Sequence, residues 1–123
     1  MGMHVGRIVL LVRDFERAVE FYRDTLGLTA QAVHPGWAVF DTGEALLCLR
    51  GPWEGMEYAP EDFGRSPDEL LFRVDDLAAA VAALERNGVC VGTPHEPGPG
   101  IRVAELQDPD GRRVALEERS PGG

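Results

Sequence analysis

"IVLLVRDFERAVEFY", residues 8–22, is restated by "LLFRVDDLAAAVAAL", residues 70–84, without a gap at a shift of 62 residues. Val12 then meets Val74, Asp14 meets Asp76, Ala18 meets Ala80 and Val19 meets Val81. Each copy begins with an apolar, β-branched run and passes through aspartate into apolar residues at helical spacing, which reads as strand then helix. In the first copy Phe15, Ala18, Val19, Phe21, Tyr22 and Leu26 form the apolar stripe. Asp14 is placed to cap that helix and Gly27 to end it. In the second copy "ELLFRV" is the strand, Asp75 or Asp76 the cap, "LAAAVAALERN" an alanine-rich helix and Gly88 the stop.

Three β-like runs separated by glycine and proline follow each helix. They are "TAQAVH", "GWAVFDT" and "ALLCLR" in the first half, and "VCVGTPHE", "GIRVAELQD" and "RRVALEE" in the second. Each half therefore reads β-α-β-β-β. The expected fold is α+β: two tandem βαβββ modules forming a cupped mixed sheet with helices on the outer face. Module one spans about residues 1–52, an acidic Gly/Pro-rich connection about 53–67 and module two about 68–120, within a single domain over 1–123. Strand alternation assigns Ile8, Leu10 and Val12 to the helix side and Arg7, Val9 and Leu11 to the opposite face. At the repeat-equivalent positions Leu70, Phe72 and Val74 pack, while Glu69, Leu71 and Arg73 look the other way. A face left free by the helices would line a cleft when two such sheets curl together, and an apolar lining with few polar groups suits a small molecule.

The bulk properties narrow the function classes. With 123 residues, 44% of them hydrophobic, the chain is long enough to bury a core without disulfides or a structural metal. No apolar run reaches membrane-spanning length and no signal-peptide pattern is present, so a cytoplasmic protein without membrane partners is expected. Cys48 and Cys90 lie far apart and form no C-x-x-C motif, which fits free thiols in a reducing compartment. The net charge of −9 argues against nucleic acid, whose phosphates demand a positive face. The acidity leaves room for a cationic ligand, or serves solubility alone.

On "VLLVRDFERAVEFYRDTLGL", "LLFRVDDLAAAVAALERNGV" and the closing "DPDGRRVALEE", the chain resembles the vicinal oxygen chelate superfamily, the group of glyoxalases, bleomycin-resistance proteins and extradiol dioxygenases. The resemblance covers nearly the whole chain. It implies paired βαβββ modules, a cupped sheet and a homodimer. The DPDG tetrapeptide is read as a structural turn: Pro109 presets φ, Asp108 bonds its own turn and Gly111 takes the conformation before the last strand.

Metal-dependent members of that superfamily hold a divalent ion by histidine or glutamine early in the first strand of each module and by glutamate late in each module. Carried onto this chain, these positions are Arg7, Glu69, Cys48 and Ala115. Arginine cannot ligate and alanine has no donor, so no metal and no cofactor is expected. A late-strand register displaced by two would put Glu117 in place of Ala115 and restore a carboxylate pair. His34 and His95 sit beside Pro35 and Pro94 and read as loop residues, and His4 has the wrong parity for the Arg7 face.

What remains is a ligand-lining set: Arg7, Val9, Leu11, Trp37, Cys48, Arg50, Trp53, Glu69, Leu71, Arg73, Arg113 and Ala115. Arg7 and Glu69 form either a structural ion pair or a pair that orients a polar ligand. Trp37 and Trp53 offer flat rings for stacking, Phe40 reads as core, Phe63 as a pin for the connection, and Cys48 as a small apolar filler. The expected function is a bleomycin-resistance-like binding protein that sequesters a hydrophobic or aromatic compound, cationic ones included, such as an antibiotic, without turnover. The alternative is an enzyme of the same family. It would be a metal-dependent lyase, isomerase or dioxygenase, or a metal-free catalyst with Glu69 as general base and Arg7 stabilising an oxyanion.

Overall fold

The computed structural model describes residues 2–120 and divides the chain into two compact units, Met1–Arg65 and Ser66–Gly123. In the first unit β1 (Arg7–Leu11) leads into α1 (Phe15–Glu20), continued by a π-type turn over Phe21–Thr25, and then into β2 (Thr29–His34), β3 (Trp37–Asp41) and β4 (Leu46–Arg50). The sheet order is β1-β4-β3-β2, with β1 parallel to β4 and the other pairs antiparallel. Asp14 caps α1 as its position suggested, its carboxylate accepting from the Arg17 amide at 3.2 Å. Gly27 ends the helical segment at φ 79°, a left-handed conformation that glycine adopts without a Cβ penalty.

The helix buries Ala18, Val19 and Tyr22 on the face of the sheet that carries Ala38, Phe40, Leu47 and Leu49. Tyr22 and Phe40 meet with ring centroids 6.5 Å apart. Burying side chains of this size stabilises the unit by about 1.5–3 kcal/mol each. Burial rises along β1 from Ile8, still 41% exposed, through Leu10 to fully buried Val12. The expected packing of Ile8 is thus only partial, because β1 is an edge strand with a single hydrogen-bonded neighbour. Arg13 fastens the connection, its Nη2 donating to the carbonyls of Glu61 at 3.3 Å and Phe63 at 3.1 Å. Phe63 is itself buried, as a pin should be, and the connection's one regular element is a 3-10 turn at Pro60–Asp62.

The second unit repeats the pattern with β5 (Leu70–Arg73), α2 (Leu77–Arg86), β6 (His95–Gly98), β7 (Ile101–Gln107) and β8 (Arg113–Arg119), in the order β5-β8-β7-β6. The two four-stranded mixed sheets bear out the α+β, tandem βαβββ reading. Of the two cap candidates Asp76 is the one used, accepting from the Ala79 amide at 3.0 Å. Glu118 of β8 adds a second cap by accepting from the Leu77 amide at 2.8 Å. Beyond α2, Gly88 takes φ 83°.

One strand was misplaced by the sequence reading. Of the run "VCVGTPHE", residues 89–96, His95 and Glu96 alone fall in a strand; ahead of them the Gly92 amide donates to Glu105 O of β7 at 2.8 Å. Pro94 has no N–H to continue a ladder, so β6 starts at His95. The expectation that His34 and His95 lie in turns is corrected with it: each sits in a strand, as the last residue of β2 and the first of β6. Among the described residues no helix is long and apolar enough to cross a membrane.

Candidate functional site

Residues opposite one another in a ladder share a face, so the strand registers map the helix-free side of each sheet row by row. In the first unit Leu11, Arg50, Trp37 and His34 form one row across β1, β4, β3 and β2. Val9, Cys48, Val39 and Ala32 form the next, and Arg7, Leu46, Asp41 and Thr29 the third. In the second unit Arg73, Glu117, Val103 and His95 form one row, and Leu71, Ala115 and Glu105 the next. Glu69, one residue before β5, lies beside Arg113, which pairs with Gln107.

These rows fix the late-strand register. Val9 is opposite Cys48 and Leu71 is opposite Ala115, and Val9 and Leu71 are themselves 62 residues apart. Cys48 and Ala115 are therefore equivalent positions, both fully buried, and Glu117 falls opposite Arg73 instead. The residues at the positions that the resemblance assigns to metal ligands are a guanidinium, a buried thiol, a carboxylate and a methyl group. This donor set does not fit a divalent ion, since zinc sites use three or four nitrogen, sulfur or oxygen ligands and harder ions use more oxygen.

The charged groups are arranged differently on the two faces. In the second unit Arg113 reaches Glu69 at 3.7 Å and Glu105 at 3.9 Å, and its Nη1 donates to Pro67 O at 3.4 Å. Glu117, with its side chain only 9% exposed, is held by Arg119 at 3.1 Å. A carboxylate removed from water in this way needs such a partner. In the first unit the cations meet rings. The guanidinium carbon of Arg7 stands 5.7 Å from the centroid of Trp37 and that of Arg50 stands 4.0 Å from the centroid of Trp53. Arg7 and Glu69, expected as a pair with each other, each have these neighbours within their own unit.

The first unit thus brings Arg7, Val9, Leu11, Trp37, Cys48 and Arg50 onto one face, with Trp53 joined to it through Arg50. The second does the same for Leu71, Arg73, Arg113 and Ala115, with Glu69 joined through Arg113. The sequence reading left Val39 and Glu105 unnamed, set His34 and His95 aside as loop residues and kept Glu117 only as the alternative to Ala115; all five lie on the same faces. The signal for the histidines was the similar hairpin context, "HPG" in one module and "HEPGPG" in the other. The DPDG segment performs the structural role expected of it. Asp108 Oδ1 accepts from the amides of Asp110 and Arg112, both at 2.9 Å, and Oδ2 from Arg112 Nη1 at 2.7 Å. Gly111 takes φ 84°.

Comparison with known proteins agrees with this architecture. Over 124 aligned residues the chain is 34% identical to YraH of Bacillus subtilis, covering 93% of this chain and 97% of YraH. It is 27% identical over 133 residues to a lactoylglutathione lyase of Salmonella typhimurium, covering 98% of this chain and 96% of the lyase. Among solved structures, TnmS3, an antibiotic-binding protein from Streptomyces sp. CB03234, superposes with a TM-score of 0.77 at 30% identity, covering 97% of this chain and 98% of TnmS3. The family model of the Glyoxalase/Bleomycin resistance protein/Dioxygenase superfamily matches residues 4–116, and the chain belongs to that superfamily.

Proposed function

We propose that this protein binds a hydrophobic or aromatic small molecule, such as an antibiotic, and sequesters it without turnover, acting as a cytoplasmic homodimer. The observation that carries this reading is the set Arg7, Cys48, Glu69 and Ala115 at the positions where metal-dependent relatives need donors. With one free thiol and one ion-paired carboxylate among them, Lewis-acid polarisation of a substrate has no anchor here. Protection by sequestration needs affinity alone, and the half-buried indoles of Trp37 and Trp53 offer flat apolar area for it. The likeness to an antibiotic-binding protein supports the same reading. Self-association is supported by the exposed apolar side chains of Ile8 and Val9 on edge strand β1 and of Leu71 on edge strand β5.

The test has two parts. Protein purified without a histidine tag is exposed to Zn, Mn, Ni and Fe salts, desalted and assayed by elemental mass spectrometry, and substoichiometric metal is expected. Aromatic antibiotics are then incubated with the protein and recovered by extraction, with unchanged mass expected. Stoichiometric metal, or a chemically altered ligand, would favour the enzyme reading, to which the likeness to a lactoylglutathione lyase lends weight. A metal-free mechanism through Glu69 would need a general base already paired with Arg113.

A further inference from the structure

We infer that the helix-free face of the first unit recognises a planar aromatic ligand carrying an anionic group such as a carboxylate. This deepens the small-molecule-binding reading and rests on it. Arg23, Arg65, Arg112, Arg113 and Arg119 all stand in ion pairs. Among the described residues Arg7, Arg17, Arg50, Arg73, Arg86 and Arg102 do not, and of these Arg7 and Arg50 are the two that stand against a ring. Both are exposed, both lie on one face, and among the described residues each has a tryptophan ring and no carboxylate as its charged-group partner.

The geometry leaves their donors usable. A guanidinium stacked on an indole engages its flat π surface, while its N–H bonds stay in the plane and point outward around the edge. Such a group retains the fork that matches a carboxylate with two parallel hydrogen bonds. Arg50, with its guanidinium carbon 4.0 Å from the Trp53 centroid, is close enough for contact of this kind. Trp37 links the two arginines, because it is opposite Arg50 in the β3–β4 ladder and carries the Arg7 guanidinium at 5.7 Å. The carboxylate sharing this face, Asp41, accepts from the Gly43 amide of its own turn at 2.8 Å. His34, opposite Trp37, adds a polar ring at the same end. Around these groups Val9, Leu11 and Val39 supply apolar floor. A ligand ring would rest on the apolar residues and an indole, with its anionic group at the arginine edges. The cationic ligand that overall acidity allows is disfavoured here by two like charges.

The experiment compares three probes that share one ring system, 2-naphthoate, 2-naphthamide and the 2-naphthylmethylammonium ion, by isothermal titration calorimetry on the whole protein. The expected result is that naphthoate binds about tenfold more tightly than the amide, as a charge-assisted pair implies, and that the ammonium binds most weakly. Added salt should narrow the gap. In Arg7→Gln and Arg50→Gln the carboxylate should lose its advantage while amide binding is retained, and Arg50→Lys should fall between, having charge without the fork. Retained amide binding also certifies that the variants are folded. Equal affinity for acid and amide, or tightest binding of the ammonium, would overturn the anion proposal and leave the aromatic reading standing. No binding of any probe would overturn both.

Discussion

The Arg50 guanidinium lies 4.0 Å from the centroid of the Trp53 ring, closer than the 5.7 Å that separates Arg7 from Trp37. A cation against an indole both orders the side chain and alters the ring's emission. Arg50→Ala should therefore change the intrinsic fluorescence of Trp53, resolved in a Trp37→Phe background, with little change in stability, since exposed cation–π contacts contribute about 0.5–1 kcal/mol. An unchanged spectrum would mean the stack does not persist in solution.

If the indoles hold a ligand, tryptophan emission should respond saturably to it, and removal of either ring should weaken binding. Aromatic contacts of this size contribute about 0.5–1.5 kcal/mol, so Trp37→Ala and Trp53→Ala should each raise Kd roughly 2- to 12-fold. Fluorescence titration of each single variant, read from the indole that remains, gives the value. Unaltered affinity in both variants removes the tryptophans from the site.

Glu118 on β8 caps α2 through the Leu77 amide at 2.8 Å, across 41 residues of sequence. A carboxylate at a helix N-terminus satisfies an otherwise orphan donor and meets the positive end of the helix dipole. Glu118→Ala should cost about 1–2 kcal/mol by urea denaturation, and Glu118→Gln, which keeps an acceptor oxygen, should recover part of that. Asp76→Ala removes a separate cap from the same helix and should cost a similar amount.

That long-range cap illustrates which parts of the molecule the sequence exposes to reading. The repeat at a shift of 62 residues is local in each copy, so it yields the strand-helix order, the caps Asp14 and Asp76, and the pairing of Arg7 with Glu69 as equivalent positions. The family motif supplied the late positions Cys48 and Ala115, which the ladders place at equivalent points opposite Val9 and Leu71. Cross-strand facts are different in kind. That Arg113 takes Glu69, that Glu117 is buried against Arg119, and that both histidines belong to outer strands depend on hairpin register, which a bulge can shift by one residue. The indole beneath Arg7 is equally unreadable, because it lies two strands away on a diagonal.

The DPDG turn should be among the most sensitive surface-proximal elements. The Asp108 side chain is 1% exposed, accepts from the Asp110 and Arg112 amides and from Arg112 Nη1, and neutralises Arg112, which is itself largely buried. Asp108→Ala would leave that guanidinium without its buried partner, and a loss of about 3–5 kcal/mol is expected. Asp108→Asn should cost less, because its amide oxygen can still accept from the Asp110 or Arg112 amide. Equal losses in the two variants would assign the whole effect to the ion pair.

Cys48 and Cys90 provide a test of the register that underlies the functional reading. Cys48 is 0% exposed in the row with Val9 and Val39, whereas Cys90 is exposed. An aromatic disulfide reagent should therefore titrate one thiol promptly in the native protein and the second only on denaturation, with Cys90→Ser abolishing the prompt phase. The buried position should also reject polarity. Cys48→Ala is expected to cost about 1 kcal/mol for the lost sulfur packing, while Cys48→Ser, close in size, would bury a hydroxyl among Val9, Val39 and neighbouring apolar groups at a penalty of about 1–3 kcal/mol. A serine variant as stable as the alanine variant would imply a polar or hydrated surrounding at this position. That is the environment a metal-ligating glutamate would need there, and it would reopen the enzymatic reading.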